Sequence, residues 1–330
     1  MNTEFPSVLL RWFREHGREL PWRGTSDAYA IWLSEIILQQ TQVKQGWDYW
    51  ERFMRRWPTV ELLAKATEDE VLREWQGLGY YSRARNLHAA ARQVVTMGGF
   101  PRTIEGLRQL KGVGDYTAAA IGSFAFGIPA AVVDGNVYRV LARFYGIATP
   151  VGTTAAKKEF TTLAQSLLPE ENPGDFNQAM MDFGALQCTP QNPHCLTCPL
   201  AARCDALRTG RTALLPVRRP ATAVQTRRLH YVYIRCHGLV AFRRRGPGDI
   251  WQGLWEPYLE ESDDFQGFPG MRLLRSGVKH QLTHRTLLAD FYLYECEAKP
   301  SLADEYVWIP EAGLDQYAKP RLIEILLDSL

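Results

Sequence analysis

The chain has 330 residues, 46% hydrophobic and 22% charged, with 38 basic against 36 acidic side chains for a formal net charge of +2. This is an ordinary globular composition with room for two or three domains, and the near-neutral balance does not by itself announce a nucleic-acid binder. No stretch approaches a membrane span, and the opening MNTEFPSVLLRWFREHGRELPWR is amphipathic without a signal-peptide core or cleavage site, which together with a thiolate metal site at the cysteines below implies a reducing, cytosolic location.

Up to about Leu207 the pattern is helical. Ser26-Asp27 can cap a helix running to about Gln42, with Tyr29, Trp32, Leu33, Ile36 and Ile37 at core spacing. Glu35 stands out in that apolar company. A helical glutamate is usually a surface residue, but if it is buried, desolvation raises its pKa and lets it hold a proton near neutrality. Further helices are expected over Thr59–Glu74, Arg83–Met97, Thr103–Leu110, Tyr116–Phe126, Gly135–Tyr145, Ala155–Leu168 and Asp175–Leu186, punctuated by Gly77, Gly79, Pro101, Gly127, Pro129, Pro150 and Pro173.

Within LRQLKGVGDYTAAA (107–120), Gly112-Val113-Gly114 joins two helices through a hairpin expected to be too tight for side chains with a Cβ. Backbone N–H groups at such a turn, with the following helix N-terminus, suit an anion such as a DNA phosphate, though a plain turn between core helices reads similarly. In IPAAVVDGNVYRVLARFYG, Asp134 precedes a helix opened by Gly135 and Asn136. It reads as an N-cap, and an acid held ionised there could also stabilise developing positive charge beside a pocket.

Cys188, Cys195, Cys198 and Cys204 follow with gaps of six, two and five residues, among Pro190, Pro193 and Pro199. Four thiols so close suit one metal centre. Structural zinc sites usually pair two short Cys-x-x-Cys knuckles, whereas this stretch has one short gap, which turns the reading toward [4Fe–4S] with Zn²⁺ as the alternative. Cys236 and Cys296 lie in apolar strand-like runs and read as buried.

Seven arginines and one acid, Asp205, fall between Arg203 and Arg228. With Arg83, Arg85, Arg92 and the run Arg243–Arg245 they could form a DNA-facing surface or simply a solvated one. Residues 208–226 read as a linker. From Leu229 onward LHYVYIRC, GLVAFRRR and LADFYLYEC are strands, and a last helix spans roughly Arg321–Leu327. The expected architecture is therefore an all-helical domain (1–207) followed by a smaller α+β domain (227–330).

The hairpin, the Gly/Pro-rich loop ending at Asp134 and the cysteine gaps together resemble the endonuclease III (helix-hairpin-helix-GPD) superfamily of DNA glycosylases. Within it, LPWR (20–23), SEIILQQTQV (34–43) and GLGYYSRARNLHAAA (77–91) resemble the MutY-type adenine DNA glycosylases. The similarity covers most of residues 15–205.

The resemblance implies a six-helix region at about 24–129, a cluster region built from 1–23 and 130–207, and a resident [4Fe–4S] cluster on the four cysteines. It implies that Glu35 protonates adenine as a leaving group and that Asp134 supports the oxocarbenium-like sugar, a division akin to glycoside hydrolysis. Asn136 matches a polar partner near that sugar, and Arg23 a support of the adenine pocket. Gln40 and Tyr80 match a plug and a wedge beside the flipped base. Tyr116 stands where lyase relatives carry a lysine nucleophile, which implies hydrolysis alone. Lys111 replaces the proline common before the glycines and points to phosphate contact with Gly112, Val113 and Gly114.

GDIWQGLWEPY (248–258) echoes a MutT-like module without an intact Nudix box. Leu282-Thr283-His284 matches the Phe-Ser-His loop that reads 8-oxoguanine, with leucine in place of the aromatic. The implied partner is duplex DNA carrying adenine opposite 8-oxoguanine or guanine, bound by a monomer. His194 and Arg203, beside the cysteine loop, could meet phosphate. A bifunctional endonuclease III-like glycosylase/lyase and a non-catalytic, metal-stabilised DNA-binding protein are the competing readings.

Overall fold

The computed structural model describes residues 4–219 and 224–330, which divide into two compact units. The first unit comprises residues within 1–50, 59–61 and 90–220, and the second those within 51–58, 62–89 and 221–330. The division late in the chain falls inside the stretch expected as a linker, 208–226.

The helices are α1 (Glu4–His16), α2 (Ala28–Ile37), α3 (Val43–Arg56), α4 (Val60–Lys65), α5 (Glu68–Glu74), α6 (Ser82–Thr96), α7 (Ile104–Arg108), α8 (Asp115–Phe126), α9 (Gly135–Tyr145), α10 (Thr154–Leu167), α11 (Pro173–Asp182) and the single turn α12 (Asp205–Arg208). Among the described residues no helix is long and apolar enough to cross a membrane. α2 ends at Ile37, short of the expected Gln42. The run expected as one helix over Thr59–Glu74 is two, because Thr67 caps α5: its hydroxyl accepts from the Glu70 amide while Glu70 reaches back to the Thr67 amide, a capping box that starts a new helix.

In the first unit, α1 places Phe5, Leu9 and Trp12 into one core with Val137, Val140 and Leu141 of α9, Phe160 of α10, and Phe176 and Met180 of α11. α2 packs on α8, and α7 on α8. The segment read as a linker is tied to this unit over part of its length: Leu215 is buried in the same core, Arg143 Nε donates to its carbonyl at 3.0 Å, and Val151 bridges to Arg218. Leu215 and Val217 are apolar enough to dock an otherwise Arg/Pro/Thr-rich stretch. Residues 220–223 of that stretch lie outside the described residues.

In the second unit six strands, β1 (Gln225–Cys236), β2 (Leu239–Arg244), β3 (Trp255–Glu260), β4 (Arg272–Gln281), β5 (Arg285–Glu295) and β6 (Tyr306–Pro310), form one mixed sheet in the order β4-β5-β1-β3-β2-β6. β1 and β5 pair in parallel and the remaining pairs are antiparallel. Helix α13 (Arg321–Leu327) covers one face through Leu322, Ile323 and Leu326. Residues 62–89 join this unit by specific bonds: Gln76 with Glu324, Arg85 with the Gln252 carbonyl, and Arg244 with Glu68 and Asp69.

The arginine run at 243–245 is used internally rather than as a free basic patch. Arg243 and Arg245 pair with Glu256, whose side chain has no exposed surface. A buried carboxylate without such partners would be costly, which accounts for the clustering. Cys236 is buried in β1, while Cys296 is partly exposed.

Candidate active site

A cavity of about 790 Å³ opens in the first unit, lined by residues of the Leu20–Arg23 turn, α2, the glycine hairpin and the loop into α9. Glu35, Tyr116, Asp134, Asn136, Arg23 and Gln40 all line it. α2 carries Glu35 inward because nearly its whole length is apolar: from Tyr29 to Ile37 every residue is buried. Glu35 itself is 7% exposed. Tyr116, in the first turn of α8, donates its hydroxyl to Glu35 Oε2 at 2.9 Å. Burial pushes the Glu35 carboxyl up to about 7; Asp134 adds to the rise, while the Tyr116 hydrogen bond and Arg23 oppose it. At neutral pH this acid therefore holds its proton in a substantial fraction of molecules. Burial also drives Tyr116 well above the usual phenol range, so it stays a neutral donor.

Asp134 is the N-cap of α9. Its Oδ1 accepts from the Val137 amide at 2.8 Å and its Oδ2 from Asn136 Nδ2 at 2.8 Å. These bonds and Arg139 favour the carboxylate, yet burial outweighs them and the net direction is upward. Capping alone does not set this group's ionisation. Arg139 continues the chain of contacts, donating to Asn136 Oδ1 at 2.7 Å and to the Cys188 carbonyl at 2.7 Å. Gly184 permits that approach, since a Cβ there would lie 2.6 Å from Asn136 Cβ.

The hairpin corrects one steric expectation. Gly112 has φ +75°, a left-handed conformation that favours glycine. Gly114 has an ordinary φ of −91°, and nothing lies within 4 Å of where a Cβ would stand. Space beside the backbone, not crowding, distinguishes Gly114. Val113 is buried and Lys111 exposed. Gln40 takes φ +56° at the cavity wall, a strained conformation of the kind that collects at functional sites.

In the second unit Tyr80 also has positive φ, +48°, and is 46% exposed. Its hydroxyl bonds the Thr283 hydroxyl. Its neighbour Tyr81 is buried. Leu282 sits at the β4–β5 turn, partly packed against the sheet core, with its amide bonded to the Arg285 carbonyl at 2.8 Å. Thr283 and His284 are exposed.

The four cysteines lie around two short 3₁₀ turns, Cys195–Thr197 and Ala201–Arg203. Among the described residues, no three His, Cys, Asp or Glu side chains converge as ligands of one metal ion, so the inward convergence suggested by the gaps is not drawn in these side chains. The donor set is nonetheless thiolate only. Cys188, Cys198 and Cys204 pack against the first unit's core, burial pushes the Cys198 thiol up to about 11, and Arg143 donates to Cys188 Sγ at 3.4 Å. Four soft sulfur donors beside a guanidinium, which would bind as thiolates, are chemically suited to an iron–sulfur cluster. His194 is exposed, and Arg203 pairs with Glu4.

Sequence reasoning missed Arg18 and Asp182. Arg18 lines the cavity, and behind it Asp182, with no exposed side-chain surface, accepts from both Arg18 and Arg23. The available signal was an acid in the apolar run AMMDFGAL, the same kind of signal that singles out Glu35.

Residues 33–169 match the family described as HhH-GPD superfamily base excision DNA repair protein, and residues 230–329 match the NUDIX domain. The mouse (Mus musculus) protein called adenine DNA glycosylase is 48% identical over 230 residues, 66% of this chain and 45% of that protein. The chain thus spans under half the length of this relative. The adenine DNA glycosylase of Buchnera aphidicola subsp. Schizaphis graminum is 34% identical over 254 residues, 76% of this chain and 73% of that protein. Among solved structures, a thermostable thymine-DNA glycosylase superposes with TM-score 0.57 at 32% identity, covering 62% of this chain and 95% of that one.

Proposed function

Because the chain belongs to the MutY-type adenine DNA glycosylases of the endonuclease III (HhH-GPD) superfamily, we propose that it excises adenine mispaired with 8-oxoguanine or guanine by hydrolysing the N-glycosidic bond. The observation that carries this reading is Glu35, buried and bonded by the Tyr116 hydroxyl, in one cavity with Asp134. An adenine flipped into that cavity takes the Glu35 proton. The C1′–N bond breaks with its electron pair leaving on the base. The cationic sugar that remains faces the Asp134 carboxylate, and water adds to C1′, giving up its proton to the Glu35 carboxylate, to leave an abasic site and restore the acid. No side chain on this route is a lysine positioned like the nucleophile of lyase relatives, since Tyr116 occupies that place, so the reading is hydrolysis without strand cleavage.

Gly112, Val113, Gly114 and Lys111 would grip a phosphate, Gln40 would act as a plug beside the flipped base, and Tyr80 of the second unit would act as a wedge in the DNA. Cys188, Cys195, Cys198 and Cys204 would hold a [4Fe–4S] cluster that braces the Pro190–Pro199 loop, and no step of the hydrolysis passes through it.

The 8-oxoguanine preference is assigned to Leu282, Thr283 and His284, with the threonine hydroxyl as the hydrogen-bonding element. The test is a base-opposite panel. Single-turnover adenine release from A:8-oxoguanine and A:G duplexes is expected to show a rate gap that Thr283→Ala narrows several-fold; an unchanged ratio would remove this loop from recognition.

A further inference from the structure

The acid–base pair of the proposed site is served by a third buried carboxylate, Asp182. It is the last residue of α11, directly before the π-helical turn Phe183–Gln187. Irregular turns of this type recur at functional sites. Asp182 Oδ1 accepts from Arg18 Nε and Arg23 Nη2, each at 2.8 Å, and from Arg18 Nη2. Oδ2 accepts from the Arg18 amide at 2.8 Å and from Arg23 Nη1 at 2.7 Å. Arg23 Nη1 also donates to the Arg18 carbonyl at 2.9 Å. One carboxylate thus fixes two guanidinium forks that are far away in sequence, and both arginines, but not Asp182, line the cavity.

We propose that Asp182 is a positioning residue with an electrostatic role: by neutralising one of the two arginine charges in the cavity wall, it keeps Glu35 protonated at working pH. This rests on the general-acid reading of Glu35. The charge balance is simple. Two guanidiniums and one carboxylate leave a net charge of about +1 in the wall. Removing the carboxylate leaves two uncompensated cations, and cations near a carboxyl favour its ionised form. Arg23 already acts on Glu35 in that direction. The other groups that face Glu35 are the Tyr116 hydroxyl from α8 and Asp134 from the loop before α9, and neither touches Asp182 among the bonds described.

The test is the pH profile of single-turnover adenine release by the full chain. Wild type is expected to lose rate as pH rises through about 7, where Glu35 gives up its proton. In Asp182→Asn that alkaline limb is expected to move acidward by roughly one pH unit, a loss of about tenfold above the limb. Arg18→Gln, which removes one cation, moves it the other way, and the double variant restores it toward wild type. A role confined to structure would lower the rate equally at every pH, and a limb that stays fixed in Asp182→Asn overturns the proposal. If Asp182→Asn does not fold, Arg18→Gln alone decides: a limb shifted alkaline supports the proposal and an unshifted one contradicts it. A wild type with no alkaline limb, or a Glu35→Gln variant that keeps full rate, would instead overturn the general-acid reading itself.

Discussion

Glu35→Gln is expected to reduce single-turnover adenine release by roughly 10²–10⁴-fold, the usual range for loss of a positioned proton donor. The amide keeps the shape and can still accept from Tyr116, so the fold should survive. Removing an ionisable group that is 7% exposed relieves a desolvation cost, and the thermal midpoint of the variant should equal or exceed that of wild type. The opposite pairing, normal rate with reduced stability, would make Glu35 a structural residue. Sign follows from the raised pKa. The protonated acid is the active form, so wild-type rate falls about tenfold per pH unit above about 7, and it falls again at acid pH, where the Asp134 carboxylate takes up a proton.

Asp134→Asn separates capping from charge. Asparagine caps a helix nearly as well as aspartate, so α9 should keep its start and the protein its stability to within a few tenths of a kcal/mol. Its amide cannot supply the negative charge that faces the developing sugar cation. The expected rate loss is about 10²–10³-fold, comparable to removing one preorganised electrostatic partner. Asp134→Ala adds a capping penalty of about 1 kcal/mol to the same rate loss. Equal rates for Asp134→Asn and wild type, measured under single-turnover conditions, would leave Asp134 a cap and nothing more.

What is legible in the sequence follows from range. Local signals mark most helices, the strands β1, β2 and β5 and the turn at Gly112, because each is set within a few residues by apolar period, caps or a positive φ. They fail where two local signals compete. The periodicity from Thr59 to Glu74 runs through a capping box at Thr67 that divides it, and the polar composition of α3 hides both the helix and its buried Phe53. The Arg/Pro/Thr segment after Arg208 conceals two apolar anchors, Leu215 and Val217, whose partners lie some sixty or more residues away. The site divides in the same way. Glu35, Tyr116 and Asp134 belong to contiguous motifs that can be matched, whereas Asp182 reaches Arg23 across 159 positions. Nothing within α11 announces that partner. The arginine run at 243–245 reads as surface charge because most of its acids, Glu256, Glu305, Glu68 and Asp69, arrive from three separate segments, Asp249 beside Arg245 being the local exception.

The measurement that bears most directly on the proposed chemistry is the product analysis of one reaction: the full chain with a duplex carrying a single adenine opposite 8-oxoguanine. Free adenine should appear in step with abasic sites, and the strand should break at that position only after alkali treatment. No release of adenine, or strand scission before alkali, would contradict a hydrolytic adenine glycosylase built on Glu35 and Asp134.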